Sequence, residues 1–450
     1  MTAHERAEPM NVGRRDFLAG AAAAGAMALV PGCGGSADGS SRPHAAPAAP
    51  GDPIGRFTGQ RLTLSRWSGD PWTSAQQKAA ARWGRVTGGH INISAVPYEN
   101  LHDKQVLSLV GAGDYDILYL HPSSLREFAR AELLAPIDSM LDDPRRNPRG
   151  RGSSSYVPNV LAQSLHDGRH YGLPDFVSTI VVAYRTDVLE AAGITALGTV
   201  PEILTAARTL NGKNGMAGIT LPGKATGAVA DVMATLLAAQ DTWWFDEDEQ
   251  PSLDTAAATA AVNFYVEAAK YTPKGLFNVA VDDVATLAAQ GRAAMVVSTT
   301  PSLQALEDPA KSRTAGRWGY LPIAYTADRP GGELIYWMWC IAARSGHKDA
   351  AYSFLRWYTD TAQQSVIARE SGTAGATKDF YQAEELAADL PFLPALNKAL
   401  GNARPQPNLP WWPQAQNDIE VAVQNAISGD SSVPATVRAL RHAMTSAQGS

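Results

Sequence analysis

The sequence predicts an α/β protein of two lobes, each a mainly parallel β-sheet flanked by helices. Three observations predict this fold class. Strand-like and helix-like segments alternate along the chain from Arg61 onward, an order typical of parallel sheets. Roughly 390 residues follow the N-terminal region, which is more than a single hydrophobic core usually holds. Residues 167–194 join a glycine turn, an extended stretch and a helix in one continuous unit.

The N-terminal region has the composition of an export signal. Arg14 and Arg15 precede an Ala-rich apolar run that extends to Val30 and is too short to span a bilayer. Paired arginines ahead of such a run are typical of a twin-arginine signal. We therefore expect residues 1–32 to be a signal peptide that is removed on export.

Cys33 follows small residues, as the acylated cysteine of a bacterial lipoprotein does, although Pro31 is unusual at such a site. We expect lipidation of Cys33; the alternatives are an unlipidated secreted form and an incidental cysteine. Acyl chains contribute about 0.8 kcal/mol per buried methylene, so two or more give lasting attachment. Residues 33–55 are almost all Gly, Ser, Ala, Pro and polar, which predicts a flexible linker. The expected location is the outer face of the cytoplasmic membrane.

The composition excludes some function classes. A net charge of -6 argues against a nucleic-acid partner, because nucleic acid calls for a basic face. The two cysteines, Cys33 and Cys340, predict no structural disulfide, since the first lies in the signal-cleavage region. We expect neither a metal nor a cofactor.

Alternation of apolar and polar residues predicts the strands, because successive strand side chains point to opposite faces. The expected strands are residues 61–67, 91–96, 117–120, 178–184, 218–221, 293–298, 318–321 and 334–343. Apolar residues at helical spacing predict the helices. The expected helices are residues 73–86, a helix through 128–134, 186–193, 229–239, 256–271 and 419–428, with mainly helical chain after 347 and a loop at 403–413.

Several short motifs occur along the body of the chain. Residues 167–174 read Asp-Gly-Arg-His-Tyr-Gly-Leu-Pro, and Ala-Ala-Gly-Ile ends the following helix at residue 194. The other motifs are Gly-Asp-Tyr-Asp-Ile at 113–117, Ala-Glu-Leu-Leu-Ala-Pro-Ile-Asp at 131–138, Gly-Arg-Ala-Ala-Met at 291–295, Ala-Ala-Tyr-Ser-Phe-Leu at 350–355, Gln363-Gln364 and Gly372. In this order they resemble the extracellular solute-binding proteins, family 1, of ATP-driven sugar importers.

That resemblance implies a two-lobe periplasmic-binding-protein fold of type II with three hinge crossovers, expected near Ser178, Val296 and Ile341. It implies one lobe from residues 56–177 and 298–341, and a second from 178–297 and 342–450. The implied function is to capture a carbohydrate, expected to be an oligosaccharide, between the lobes and deliver it to the membrane permease of an ABC transporter. We expect a monomer.

Two departures from the family pattern leave the ligand subclass open. Val200-Pro201-Glu202 replaces the usual Trp-Asp-Glu, which alters only a helix start, with Thr199 as N-cap. Arg185 replaces an Asn and could change the second lobe's wall. A non-sugar solute, such as a polyol, glycerophosphodiester, polyamine or peptide, is the alternative ligand.

The candidate ligand residues lie where strands end, because open parallel sheets bind ligands at the carboxyl ends of their strands. A sugar presents an apolar ring face and a belt of hydroxyls, which an aromatic plate and a carboxylate can bind. Trp67, Trp72 and Asp70 follow the first strand in this way. The alternative is that Trp67 ends in the core and Asp70 only orders a turn.

The other candidates carry the same chemistry. For His121 the alternative is a surface residue or a structural hydrogen-bonder, and for Trp337 and Trp339 the alternative is lobe core. These candidates come in pairs from five places in the chain. The places are the loop after residue 120, the hinge strand, a loop of the second lobe, the last long strand, and the loop before the helix at 419–428. The candidates are His121, Ser123, Asp175, Ser178, Trp243, Trp244, Trp337, Trp339, Trp411 and Trp412.

An exported glycan-active enzyme is the remote alternative function. It would need two facing carboxylates, a nucleophile with its base, or a metal cluster. The sequence contains no Gly-x-Ser-x-Gly, His-Glu-x-x-His or phosphate-loop motif. We therefore expect a binding protein and not an enzyme.

Overall fold

Two hydrophobic cores organise this computed structural model, which describes residues 55–69, 72–111, 113–147, 151–246, 248–409 and 411–446. The expected signal peptide, lipidated Cys33, Asp70 and all of the linker before residue 55 lie outside the described residues.

The strands agree with most of the predicted segments. They are β1 (Arg61–Trp67), β2 (His90–Val96), β3 (Ile117–Leu120), β4 (Leu165–His166), β5 (Arg169–His170), β6 (Gly172–Ser178), β7 (Ile180–Arg185), β8 (Met295–Thr299), β9 (Trp318–Pro322), β10 (Ala324–Thr326), β11 (Arg329–Pro330), β12 (Gly332–Ile341) and β13 (Ala403–Pro405).

Most helices begin and end close to their sequence signals, but the helix expected through 128–134 ends at Arg130. They are α1 (Trp72–Thr87), α2 (Tyr98–Val110), α3 (Leu125–Arg130), α4 (Asp138–Leu141), α5 (Pro158–Leu161), α6 (Thr186–Ala191), α7 (Val200–Leu210), α8 (Ala228–Ala238), α9 (Thr255–Ala269), α10 (Val281–Ala289), α11 (Thr300–Glu307), α12 (Lys348–Tyr358), α13 (Thr361–Ser371), α14 (Lys378–Gln382), α15 (Glu384–Asp389), α16 (Leu393–Leu400), α17 (Trp412–Ser428) and α18 (Val433–Ser446). Thr199 and Glu202 form the capping box of α7, with Pro201 in its first turn, as predicted.

The first lobe contains a six-stranded sheet, in which β13, β12, β3, β1 and β2 follow one another and β6 also pairs with β12. β1 runs parallel to both β2 and β3, whereas β12 runs antiparallel to β3 and β6. The carboxyl ends of β1, β2 and β3 therefore meet at one edge of this sheet, as the sequence predicts.

The second lobe differs from the expected parallel sheet. Its named strands form an antiparallel sheet in the order β8, β7, β9. The strand expected at residues 218–221 makes only isolated parallel bridges, from Ala217 to Ala293 and from Thr220 to Val296. Mainly helical segments, including α7, α8 and α9, lie between β7 and β8.

The chain crosses between the two cores three times. The first crossing is at residues 178–180, between β6 and β7, so the single strand expected at 178–184 is two strands in different sheets. The second lies between Ile323 and Leu334, and the third between Ala403 and Leu409. Three crossovers were expected, but not at Val296, which lies inside β8, or at Ile341, which ends β12.

The lobe boundaries also differ from those expected. Residues 303–323 pack in the second core, and α12 to α16 pack largely in the first, through buried residues such as Phe354 and Phe380. Periodicity shows which helix face is apolar, but it does not show which of two cores receives that face.

A glycine pair allows the second crossover to pass close to its neighbours. A side chain at Gly331 would meet the backbone nitrogen of Ala239, just after α8, at 2.0 Å, and one at Gly332 would meet the Thr179 hydroxyl at 2.7 Å. The first two crossovers and the C-terminal end of α8 therefore share one crowded hinge region. Within the described residues, none of the helices combines the length and the apolar character that crossing a bilayer requires.

Candidate ligand-binding site

An aromatic wall, formed by Trp67, Trp72, Tyr98, His121 and Trp337, lies at the sheet edge of the first lobe. The rings of Trp67 and Trp72 meet edge-on, with centroids 5.4 Å apart. The Trp337 ring lies 6.1 Å from Trp67, 6.1 Å from Tyr98 and 5.0 Å from His121, centroid to centroid. Edge-on and tilted contacts of this kind hold the rings in fixed positions. They leave ring faces available to stack against a ligand.

The position of the wall follows from the strand order. β1 ends at Trp67, α2 begins at Tyr98 after β2, and His121 follows β3. β12 brings Trp337 to the same place by pairing antiparallel with β3, because Met338 lies opposite Leu120 at the end of that strand. Tyr98 is 59% exposed, and Trp67 and Trp72 are partly exposed, whereas Trp337 is 7% exposed and supports them from behind.

A buried polar relay lies behind the aromatic wall. The Arg66 guanidinium sits 4.5 Å from the Trp67 ring centroid and donates to Gln76 Oε1 at 2.5 Å. Gln76 Nε2 donates in turn to Asp175 Oδ2 at 3.1 Å. Burial raises the pKa of Asp175, while Tyr119 and other donors counteract the rise. Asp175 is thus 4% exposed and holds the wall in place, contrary to the expectation that it contacts the ligand.

His121 is held as a neutral ring. Its Nδ1 accepts from the Ser123 backbone N–H at 3.3 Å and lies 2.8 Å from the Ser123 hydroxyl. Burial lowers the pKa of His121 to about 4, so the ring is uncharged at neutral pH. Because Nδ1 is an acceptor, the ring proton is on Nε2 and is free to donate. Ser123 is buried and orients the His121 ring. The direct ligand contact predicted for Ser123 is therefore replaced by a supporting role behind His121.

A polar wall is formed by Asp231 and Gln416 of the second lobe and by Gln406 of the third crossover. Asp231 Oδ1 accepts from Gln406 Nε2 and from Gln416 Nε2, each at 3.2 Å. Partial desolvation of the Tyr98 hydroxyl by the surrounding protein raises its pKa, and the charge of Asp231 raises it further, although the ring is largely exposed. The polar wall therefore faces the aromatic wall closely enough for the two to interact electrostatically.

Acidic groups gather behind the polar wall. Burial, above all, raises the pKa of Asp231 to about 7, and the charge of Glu420 adds to the rise. Glu420 caps the N-terminus of α8 by accepting from the backbone N–H groups of Gly227, Val229 and Ala230 at 2.9, 2.9 and 3.4 Å. Among the described residues, none of the Asp231, Glu333 and Glu420 carboxyls forms an ion pair with Lys or Arg.

The tryptophans of the second lobe are mostly core residues. Trp244 and Trp412 are 0% and 1% exposed, with ring centroids 6.0 Å apart, and Trp243 is also buried. Trp411 is partly exposed and its ring packs on Phe245 at 5.4 Å. Of the predicted pair 411 and 412, only the first is therefore placed to reach a ligand.

Two more predicted site residues are core residues. Trp339 shares Tyr119 as a neighbour with Trp337, but it packs against Phe354 and Tyr358 and is fully buried. Ser178 is buried at the first crossover, and its hydroxyl lies 3.0 Å from that of Thr300. The residues that are too buried to contact a ligand are therefore Trp244, Trp339, Trp412, Asp175 and Ser178.

A cavity of about 380 Å³ lies beside the polar wall. Its lining includes Gln163 of the first lobe, Trp243 and Phe245 of the second, and Gln406 and Asn408 of the third crossover. The predicted aromatic loop of the second lobe thus borders a space through Trp243 and Phe245, while Trp244 points into the core.

An ion pair joins the lobes at this cavity. Arg126 Nη1 of α3 donates to Glu249 Oε2 at 2.7 Å, and Nη2 donates to Glu249 Oε1. The guanidinium hydrogen bond lowers the pKa of Glu249. Glu249 therefore provides a contact between the lobes.

Sequence reasoning missed Tyr98, Asp231, Gln406 and Gln416. Tyr98 had a usable signal, because it follows β2 as Trp67 follows β1. Asp231 lies in an alanine-rich helix and Gln406 in a proline-rich loop, so neither had one. Arg185, the departure from the family pattern, forms an ion pair with Asp187, from Nη2 to Oδ2 at 2.6 Å. Among the described residues, no group of His, Cys, Asp or Glu is arranged to hold a metal ion.

Comparisons with known proteins identify the relatives of this chain and the proteins that share its fold. The sequence profile of the family described as bacterial extracellular solute-binding protein matches residues 69–365. A mannitol-binding protein of Pseudomonas aeruginosa is 29% identical over 275 residues, 57% of this chain. The match spans 62% of that relative. A binding protein of Brucella abortus strain 2308 is 22% identical over 394 residues, 84% of this chain and 90% of its own length.

Solved structures share the fold. Maltose-bound MalE3 of T. maritima aligns with a TM-score of 0.74 and 20% identity, over 86% of this chain and 99% of its own. A solute-binding protein of Agrobacterium radiobacter K84, in complex with ribitol, aligns with a TM-score of 0.74 and 21% identity, over 88% and 99%. The expected two-lobe α/β fold is thereby confirmed.

Proposed function

Because this chain belongs to the bacterial extracellular solute-binding protein family, we propose that it captures a carbohydrate between its two lobes for delivery to the permease of an ABC transporter. The observation that carries this proposal is the pairing of the two walls. Aromatic rings of the first lobe face a carboxylate and two amides of the second, next to crossovers about which lobes can close.

The two walls match the two chemical faces of a sugar. Trp72 and Tyr98 offer ring faces to apolar C–H groups, and Asp231 accepts hydrogen bonds from hydroxyls. A hydrogen bond to a charged group contributes about 1.5–3 kcal/mol. A few such contacts, with stacking, reach the roughly 8 kcal/mol that micromolar affinity requires.

A polyol is the second candidate ligand. The Pseudomonas relative is named as a mannitol-binding protein, and the Agrobacterium structure holds ribitol. A linear polyol offers hydroxyls to Asp231 but has no ring face to stack. An oligosaccharide would also extend into the cavity beside Gln406, which is large enough for a further sugar ring.

A ligand screen tests the proposal. The mature protein is mixed separately with maltose, D-mannitol, ribitol, glycerophosphocholine, spermidine and a tripeptide, and its melting temperature and tryptophan fluorescence are followed. We expect a rise in melting temperature and a fluorescence change for at least one sugar or polyol. A response only to spermidine or to the peptide would reject the carbohydrate assignment.

We also propose that the bound ligand is released unchanged. The family and the structures that share this fold are binding proteins. Mass spectrometry of the ligand recovered after a long incubation tests this, because a hydrolase would shorten an oligosaccharide. Any shortened product that depends on the protein would restore the enzyme hypothesis.

The cell-envelope assignments remain proposals. We propose export through the twin-arginine signal, attachment through lipidated Cys33, and action as a monomer beside the permease. Cys33→Ala should move the protein from the membrane fraction to the soluble fraction of cells. Retention of this variant on the membrane would contradict the lipid anchor.

A further inference from the structure

Glu333 is a fully buried acid at the hinge that the ligand contacts proposed above do not use. It lies at the start of β12, on the second crossover, and is 0% exposed. Its backbone N–H donates to Thr235 Oγ1 at 3.2 Å. Thr235 lies in α8 one helical turn after Asp231, so the two residues share a face of the helix. The Glu333 side chain is thereby held on the face of α8 that carries Asp231.

The two acids have unequal surroundings. Asp231 is partly exposed and accepts from two side-chain amides. Neither carboxyl oxygen of Glu333 has a hydrogen-bond partner of normal geometry among the described residues, although Asp231 and Gln406 face it. A buried carboxylate without donors is very costly, whereas a protonated carboxyl is not. The proton therefore belongs on Glu333, and the charge belongs on Asp231.

The groups around the pair do not supply a positive charge. Asp231 is faced by Glu333 of β12, Glu420 and Gln416 of α17, Gln406 after β13, Tyr98 of α2 and Tyr265 of α9. All the titratable groups that face Asp231 are acids. Among the described residues, neither Asp231 nor Glu333 forms an ion pair with Lys or Arg. Two neighbouring buried carboxyls without a cation retain a proton more readily than isolated ones, because their like charges repel.

We propose that Asp231 and Glu333 hold one proton between them at pH 8 and take up a second as the pH falls to 6, and that Glu333 is the positioning residue that keeps Asp231 as the ligand-accepting anion. The inference rests on the proposed carbohydrate cleft. It adds that capture of a neutral ligand is linked to a proton. When Asp231 is protonated, the polar wall loses its charged acceptor, and only the ionised fraction of the protein binds at full strength.

The first test needs no ligand. Infrared difference spectra of wild type minus Glu333→Gln at pH 8, where Asp231 is ionised, should show the carbonyl stretch of a protonated carboxylic acid. A difference spectrum that contains only carboxylate bands would overturn the proposal. Because the protein is ligand-free, this result is independent of which solute the protein binds.

The second test follows affinity with pH. Maltose, D-mannitol and ribitol serve as probes in titration calorimetry at pH 8 and pH 6. For the probe that binds most tightly, we expect about a tenfold weaker affinity at pH 6, since the pKa of Asp231 is about 7. Asp231→Asn should bind more weakly at both pH values and show no pH dependence. Equal wild-type affinities at the two values would overturn the proposal.

A pair of variants separates positioning from packing. Glu333→Gln keeps a donor toward Asp231 and should bind within about twofold of wild type at pH 8. Glu333→Leu removes the donor and should bind about tenfold more weakly. If Glu333→Leu bound with wild-type affinity, the positioning role of Glu333 would be rejected. If none of the three probes binds at either pH, their solute class is wrong, and the infrared test alone decides whether the acid pair exists.

Discussion

The two lobes present different surfaces to the cleft. The first displays rings, with Tyr98 59% exposed and Trp72 partly exposed, and supports them with the Arg66 relay. The second buries Trp244 and Trp412 and displays Asp231 with its amides. The two lobes also differ in charge. The relay of the first lobe contains the Arg66 cation, whereas among the described residues the acids near Asp231 form no ion pair with Lys or Arg. Under the proposed function, one lobe supplies a rigid apolar platform, and the other supplies directional hydrogen bonds from a titratable group.

Trp412→Ala tests the largest expected difference. Trp412 is 1% exposed in the second core. Truncating a buried indole should lower the free energy of unfolding by about 3–5 kcal/mol, because of the lost transfer energy and the cavity. Denaturant unfolding at constant pH measures this. Unchanged stability with weaker ligand binding would mean that Trp412 belongs to the cleft, and the contrast between the lobes would fail.

His121 tests whether the aromatic wall is held uncharged. Its folded-state pKa of about 4 lies below the ordinary value of 6.5, so the unfolded chain binds the proton first. The stability that neutral His121 contributes is complete above pH 6.5 and is lost as pH falls toward 4, by up to about 3 kcal/mol. Unfolding curves of wild type and His121→Asn between pH 7 and 4 should diverge by this amount. Parallel pH profiles would contradict burial of a neutral ring.

Trp72→Ala tests the platform itself. Trp72 is partly exposed and meets Trp67 edge-on. We expect the affinity for a ring-containing ligand to fall by about 1–3 kcal/mol, roughly ten- to a hundredfold, with little loss of stability. A linear polyol should lose less. Trp318→Phe, in β9 of the second core, is the matched control and should leave the affinity unchanged.

Arg126→Ala tests the contact between the lobes and has the smallest expected effect. Arg126 and Glu249 are partly exposed, with side chains 25% and 43% accessible, so their pairing contributes only about 0.2–1 kcal/mol. Its loss should weaken all ligands alike, by no more than about fivefold, through faster release. Lys270→Ala, which removes a pair within the second lobe, is the control. Ligand-selective changes in Arg126→Ala would assign it to direct recognition instead.

The alternation of strands and helices predicted most elements and the edge at which ligand residues meet. Trp67 and His121 were found because strand ends are visible in the sequence. Adjacent tryptophans could not be separated in this way, since successive residues at a helix start point about 100° apart. Long-range packing decides that Trp412 enters the core while Trp411 remains partly exposed. Asp231 was missed because an isolated acid in an alanine-rich helix gives no sign of what faces it.

The sequence by itself determined the family, through short motifs in a fixed order, and the local geometry that places Trp67 and His121 at the ends of neighbouring strands. Tertiary structure alone decided which core receives each C-terminal helix, where the second and third crossovers lie, and that Glu333 meets Asp231. The physical reason is that strand ends and caps depend on neighbouring residues, whereas burial and carboxyl pairing depend on segments far apart in the chain.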